Sequence, residues 1–176
     1  MSGGEQRPVP LVAQAETKPD QVGILVPSLE RAFPAYGPAR TWRIWEYGPQ
    51  VLSEQVLDGE PARFSMRLAL SGTDPEVELV EPRQGPSAYH RWVDEYGYGL
   101  HHLGYLVDDV RAVIDEMEAA GCPLLQAGFG FGADGSGGFA YFDTRETLGI
   151  IVEAIERPAE RRPPEALWPP DEAAEG

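Results

Sequence analysis

Cysteine is nearly missing from this chain. Cys122 is the only one in 176 residues, which excludes an internal disulfide and a cysteine-built zinc site. Basic residues are also few: 14 Lys and Arg stand against 29 Asp and Glu, for a net charge of −15. Such a surface repels phosphate backbones and anionic lipid, so no nucleic acid and no membrane are expected as partners. No apolar run approaches the roughly 20 residues that span a bilayer, and Met1 to Arg7 lacks the apolar core of a secretory signal. A cytoplasmic protein is therefore expected. The glycine-rich run 128–138 lacks the Lys-Ser or Lys-Thr ending of a phosphate loop, so it reads as a hairpin or a lid over a pocket. What remains is 42% hydrophobic and 24% charged, ordinary for one well-buried domain or two small coupled modules.

Against these absences stands a repetition. Gln21-Val22-Gly23-Ile24-Leu25-Val26 is echoed by His102-Leu103-Gly104-Tyr105-Leu106-Val107, with a polar residue first, glycine third and Leu-Val at the end. Val77-Glu78-Leu79-Val80-Glu81-Pro82 is echoed by Val152 to Pro158. The two phrases recur in the same order at similar separations, which implies an internal duplication. Gln21, Glu78, His102 and Glu153 then hold equivalent places.

Taken in order, residues 1–19 read as a flexible arm. A strand from Gln21 leads to a short helix that Ser28 can cap. Thr41 to Tyr47, Phe64 to Leu70 and Glu76 to Val80 read as strands, the second with Phe64, Met66, Leu68 and Leu70 on one face. In the linker 83–98, Tyr89, Trp92, Val93 and Tyr96 fall at helical spacing. The second half repeats the plan: a strand from His101, a helix capped by Asp108 or Asp109, then strands near 123–126, 139–142 and 149–155. Residues 158–176 read as a disordered tail rich in proline and glutamate.

Strand alternation points His101 and His102 to opposite faces, and the repeat selects His102 for any shared site. An imidazole, two carboxylates and an amide oxygen suit a divalent ion of the first transition row. Glu81 and Glu156 compete for the same role, but three residues along a strand reverses their face and places them outside.

The quoted phrases, with Gly99-Leu100-His101-His102-Leu103-Gly104 and Gly149-Ile150-Ile151-Val152-Glu153, resemble the vicinal oxygen chelate superfamily over roughly residues 20–157. That group includes glyoxalase I, methylmalonyl-CoA epimerase, extradiol dioxygenases and bleomycin- and fosfomycin-resistance proteins. The resemblance implies an α+β fold of two tandem βαβββ modules, 20–82 and 99–157, forming a U-shaped mixed sheet around a metal cleft. Carried over by position, the metal ligands are Gln21, Glu78, His102 and Glu153, and the ion is Zn, Ni, Co, Mn or Fe. Many members carry histidine where Gln21 stands. Its absence breaks the two-histidine, one-carboxylate triad of non-haem iron oxygenases and argues against ring cleavage. The implied activity is that of an isomerase, epimerase or lyase, with proton transfer next to a carbonyl through a metal-stabilised enediolate. Glu153 or Glu78 moves the proton, and Glu153 is favoured. The alternative is the same fold binding a small molecule without catalysis.

Trp42, Phe64, Met66 and Tyr141, with Trp45 and Phe142, are expected to line a substrate pocket. Arg43, Arg63, Arg67 and Arg83 form no evident cradle, so an uncharged or weakly charged carbonyl compound is the expected substrate. Superfamily members are frequently dimers, and Tyr89, Trp92, Val93 and Tyr96 are expected to supply a homodimer contact.

Overall fold

The computed structural model describes residues 7–14 and 18–170. Helices are α1 Pro10–Gln14, α2 Leu29–Ala32, α3 Ala88–Tyr96, α4 Val110–Ala119 and α5 Arg145–Leu148. Strands are β1 Gln21–Leu25, β2 Trp42–Tyr47, β3 Glu54–Leu57, β4 Glu60–Pro61, β5 Met66–Ser71 and β6 Glu76–Pro82, then β7 Gly99–Leu106, β8 Leu124–Phe129, β9 Gly138–Phe142, β10 Ile151–Glu156 and β11 Ala166–Trp168. All eleven strands join one mixed sheet, in the order β11-β2-β5-β6-β1-β7-β10-β9-β8-β3-β4. The fold is α+β. Among the described residues no helix is long and apolar enough to cross a membrane.

The duplication is visible in the pairing. β1 runs parallel to β6, as β7 does to β10, and antiparallel neighbours β5, β2 and β9, β8 extend each half. The halves meet through the antiparallel pair β1 and β7. Alternation along the strands separates three cores. One lies inside the curl of the sheet, with Met66, Leu68, Leu70, Val80 and Tyr141 among its members. The others lie outside, under α2 with Leu29, Phe33 and Leu79, and under α4 with Val110, Met117 and Val152.

The echoed glutamates Glu81 and Glu156 do the same job on this outer side. Glu81 Oε2 accepts from the Leu29 N–H that opens α2, and Glu156 Oε2 from the Val110 N–H that opens α4, both at 3.0 Å. Each satisfies an orphan donor at a positive helix end. Glu156→Ala should therefore lower stability by about 1 kcal/mol, a drop of about 2–4 °C in melting temperature, which calorimetry checks.

The structure departs from the sequence reading in several places. β3 and β4 form an additional hairpin, turned by Asp58 and Gly59 at φ 52° and 81°, the two left-handed positions of a tight hairpin turn. Although it belongs to the first half of the chain, β3 pairs with β8 of the second module. Residues 158–170, expected to be disordered, cross to the first module, where β11 pairs antiparallel with β2 and the Trp168 ring packs on Phe33. Residues 171–176 lie outside the described residues. In the arm expected over 1–19, Pro10–Gln14 is helical and Leu11 is buried against the α4 core, while residues 1–6 and 15–17 lie outside the described residues. Finally, α3 covers the chain's own cleft. Tyr89 is 1% exposed, and Trp92 and Val93 pack on the inner core, so of the expected dimer contact only Tyr96, 54% exposed, stands free of it.

Candidate metal centre

Two glycines make room for the site. In the β1–β7 ladder Gly23 faces His102 and Gln21 faces Gly104. Parallel pairing then sets Glu78 beside Gly23 and Glu153 beside Gly104. His102 and Glu78 thus flank one glycine, and Gln21 and Glu153 flank the other. A Cβ on Gly23 would fall 1.9 Å from the His102 ring, so the imidazole lies in the space that a side chain would fill. A Cβ on Gly104 would lie 3.1 Å from both Gln21 Cβ and Glu153 Oε2. The repeated third-position glycine is therefore a steric requirement of the opposite module's polar residue.

The expectation that His101 faces away from His102 fails at a bulge. Gly23 pairs with His102, but Ile24 pairs with Leu100, which leaves His101 as the extra residue. A bulge breaks the alternation of side chains. Both histidines are fully buried, and their Nδ1 atoms stand 2.9 Å apart. His101 is enclosed by the rings of Tyr89, Trp92 and Tyr141, with centroids 5.0–5.5 Å away. Burial, and then the charge of His102, hold its pKa well below the usual range, so it is neutral. A neutral His101 can accept the Nδ1 proton of His102, so that the Nε2 lone pair would face the carboxylates once an incoming cation displaces its proton.

His102 Nε2 lies 3.2 Å from Glu78 Oε2 and 3.1 Å from Glu153 Oε2. Those are ion-pair distances, yet neither approach is angled as a hydrogen bond, and Nε2 and both oxygens remain unpartnered. Burial opposes charge on His102, but Glu153 and Glu78 overcome it and raise the pKa to about 9. Burial likewise raises the pKa of Glu78, against the pull of His102. The trio therefore holds a proton at neutral pH that an incoming cation would displace.

Gln21 completes the set. Its Nε2 donates to Glu76 at 3.3 Å, and Arg43 holds Glu76 at 2.9 Å, so the amide oxygen is left unpartnered and buried. Gln21, Glu78, His102 and Glu153 each present one buried, unpartnered atom of a type that a divalent ion accepts as ligand. The other buried unpartnered side-chain atoms among the described residues are nitrogens, and three oxygens with one imidazole nitrogen stand only here, so the four residues fit such an ion. The Glu78, His102 and Glu153 atoms also lie within 4.8 Å of one another.

Gln21, Glu78 and Glu153 open on a cavity of about 50 Å³, walled by Met66, Leu68, Leu70, Tyr89, Phe139 and Tyr141. The Tyr89 and Tyr141 hydroxyls are hydrogen-bonded at 2.9 Å. Tyr47, from the first module, stacks on Phe131 of the second at 5.4 Å and closes one side.

Of the expected pocket residues, Met66 and Tyr141 line this cavity. Phe64 is in the inner core without reaching it. Trp42 is a correction: it lies on the outer face, with its ring 5.5 Å from Phe33. Alternation along β2 sends Trp42 and Ile44 outward and Trp45 and Tyr47 inward. Phe142 faces outward for the same reason, opposite Tyr141. The reading missed Tyr89, Phe131, Phe139 and Arg161. Tyr89 and Phe139 carried a periodic signal. Arg161, in a run of proline and charge, carried none.

Comparisons with known proteins identify the family and its fold. A family model described as Glyoxalase/Bleomycin resistance protein/Dioxygenase superfamily matches residues 20–142. Among curated proteins, the uncharacterized protein YqjC of Bacillus subtilis is 30% identical over 81 residues, 46% of this chain and 57% of its own length. The chain thus spans little more than half of that relative. A hypothetical protein from Bacillus halodurans C-125 superposes with a TM-score of 0.56 at 20% identity, covering 82% of this chain and 97% of its own. Methylmalonyl-CoA epimerase from Mycobacterium tuberculosis gives 0.51 at 20% identity, covering 80% and 87%. At these identities the solved structures speak for the fold. The family model covers well over half of the chain, and the chain belongs to the Glyoxalase/Bleomycin resistance protein/Dioxygenase superfamily.

Proposed function

We propose that the chain is a divalent-metal-dependent isomerase, epimerase or lyase that moves a proton next to the carbonyl of a small molecule. The observation that carries this reading is the cluster of buried, unpartnered ligand atoms from Glu78, His102 and Glu153 within 4.8 Å of one another, with the buried, unpartnered Gln21 amide oxygen on the residue that faces Gly104 beside Glu153. A bound divalent ion would supply Lewis acidity toward the carbonyl oxygen and so acidify the adjacent C–H.

The chain's own residues do the rest. His102, held by His101, and Glu78, 3.2 Å from the His102 ring nitrogen, would anchor the ion. Gln21 offers a neutral oxygen and so limits the negative charge of the site. Glu153 removes the proton, as a carboxylate positioned beside the reacting carbon does. The apolar walls and the Tyr47–Phe131 stack exclude water, which strengthens every electrostatic contact within.

Two measurements test the reading. Protein purified without chelator should carry a stoichiometric divalent ion, and His102→Ala should lose it. Metal-loaded wild type in D₂O should exchange the proton beside the carbonyl of small 2-substituted acids and thioesters. A protein that takes up no ion on titration, or a metal content unchanged in His102→Ala, would refute it.

A further inference from the structure

The cavity wall carries one cation, Arg161, and it comes from outside the duplicated modules. Its backbone is clamped between them. On one side the Ala159 N–H donates to Ser136 Oγ, and the Glu160 carbonyl accepts from Ala133 N–H, both at 2.8 Å and both in the β8–β9 loop. On the other, the Arg162 carbonyl accepts from Trp45 Nε1 at 3.1 Å. The Arg161 guanidinium lies over the Trp45 ring, 5.4 Å from its centroid.

Among the described residues Arg161 has no carboxylate partner. Arg43, Arg67, Arg83, Arg91, Arg111 and Arg145 each have one, while Arg31, Arg40, Arg63, Arg157 and Arg162 share its lack of one. What is an exception, in a chain of net charge −15, is where this guanidinium stands: among the described residues no other Lys or Arg lines the cavity. The charges of the site make it a meaningful one. Glu78 and Glu153 would balance a divalent ion, which leaves the guanidinium to be neutralised by whatever enters. Its planar fork matches a carboxylate. A space of about 50 Å³ admits only a few water-sized groups, so the recognised group is small.

We propose that Arg161 binds a carboxylate of the substrate, so that the site takes a small carbonyl compound bearing a second, anionic group. The proposal rests on the metal-dependent reading above. It replaces the uncharged substrate expected from the sequence, where Arg161 sat unnoticed in the tail.

The test uses cobalt-loaded protein and two probes, with binding read from the visible absorption of cobalt and by calorimetry. Acetohydroxamic acid chelates without a further charge, whereas succinic monohydroxamic acid adds a carboxylate. Wild type should bind the carboxylated probe about tenfold more tightly, the low end for a charge-assisted hydrogen bond. Arg161→Gln should bind both alike with an unchanged melting temperature, and Arg161→Lys should recover part of the preference. Equal affinities in wild type, or a preference that survives in Arg161→Gln, would overturn the role of Arg161 and leave the metal reading standing. If neither probe perturbs the cobalt spectrum, or cobalt does not bind, both fall together.

Discussion

Glu153→Gln should retain metal and slow proton transfer by roughly 10²–10⁴-fold, the contribution of a positioned general base. Glu78→Gln should instead weaken metal binding and leave much of the rate in enzyme saturated with metal. The two carboxylates are nearly symmetric about His102, at 3.2 and 3.1 Å. What separates them is the space beside each. The room over Gly23, next to Glu78, is filled by the His102 ring. The room over Gly104 is bordered most closely by the flexible tip of Ile155 at 2.7 Å, with Gln21 Cβ and Glu153 Oε2 at 3.1 Å. Glu153 therefore borders a side-chain tip that can yield when its carboxylate moves, whereas Glu78 borders a buried, braced ring. Glutamine keeps the shape and one oxygen while removing basicity, so metal content and deuterium incorporation read the two roles separately. The opposite pattern would assign the base to Glu78, and small equal losses would say that neither is the base.

Gly23→Ala should be nearly as damaging, without touching a charged group. Gly23 is not in the left-handed region, so alanine meets no backbone obstacle. The cost is steric: the new Cβ would fall 1.9–2.4 Å from three atoms of the His102 ring. That ring is buried and braced by His101 and by Tyr141, whose centroid is 4.9 Å away. Overpacking of this kind costs about 1–3 kcal/mol, or roughly 2–12 °C in melting temperature. A displaced ligand should lower metal affinity by about 10–100-fold, comparable with losing an outer-shell partner. Gly104→Ala is the internal comparison. Its nearest obstacle is the flexible tip of Ile155 at 2.7 Å, so both losses should be smaller. A competition assay with a chromophoric chelator, beside thermal melts, ranks the two variants. Equal tolerance of both would show that the His102 ring can move.

Much of this site was legible because a repeat is a second measurement of the same local physics. Glu78 alone is a glutamate in a strand, but Glu78 and Glu153 at matched places, opposite two matched glycines, are a pattern. The same logic set Glu81 and Glu156 apart, and both open a helix on the outer face. What escaped was whatever the period does not govern. The bulge that turns His101 inward is a property of the β1–β7 pairing, not of either strand alone. Trp42 was misplaced because its apolar character says that it is buried without saying on which side. The hairpin at Asp58-Gly59 left a strong turn signal that was available and unused. Arg161 left none, since proline and charge usually mark a segment that buries nothing.

The crossing of β3 onto β8 has a consequence in time. As the chain leaves the ribosome, Ser53 waits for Phe129, 76 residues later. At about 5–20 residues per second that interval lasts on the order of 4–15 s. Throughout it, the β3–β4 hairpin has an unpaired edge at Glu54 to Leu57, open to any other nascent strand. The far side of the hairpin is shielded by charge and by a residue without an N–H, Glu60 and Pro61. The near side has no such guard, because it is the side reserved for β8. Misassembly between chains during synthesis should therefore begin at this edge, and crowded polysomes are where it would be caught.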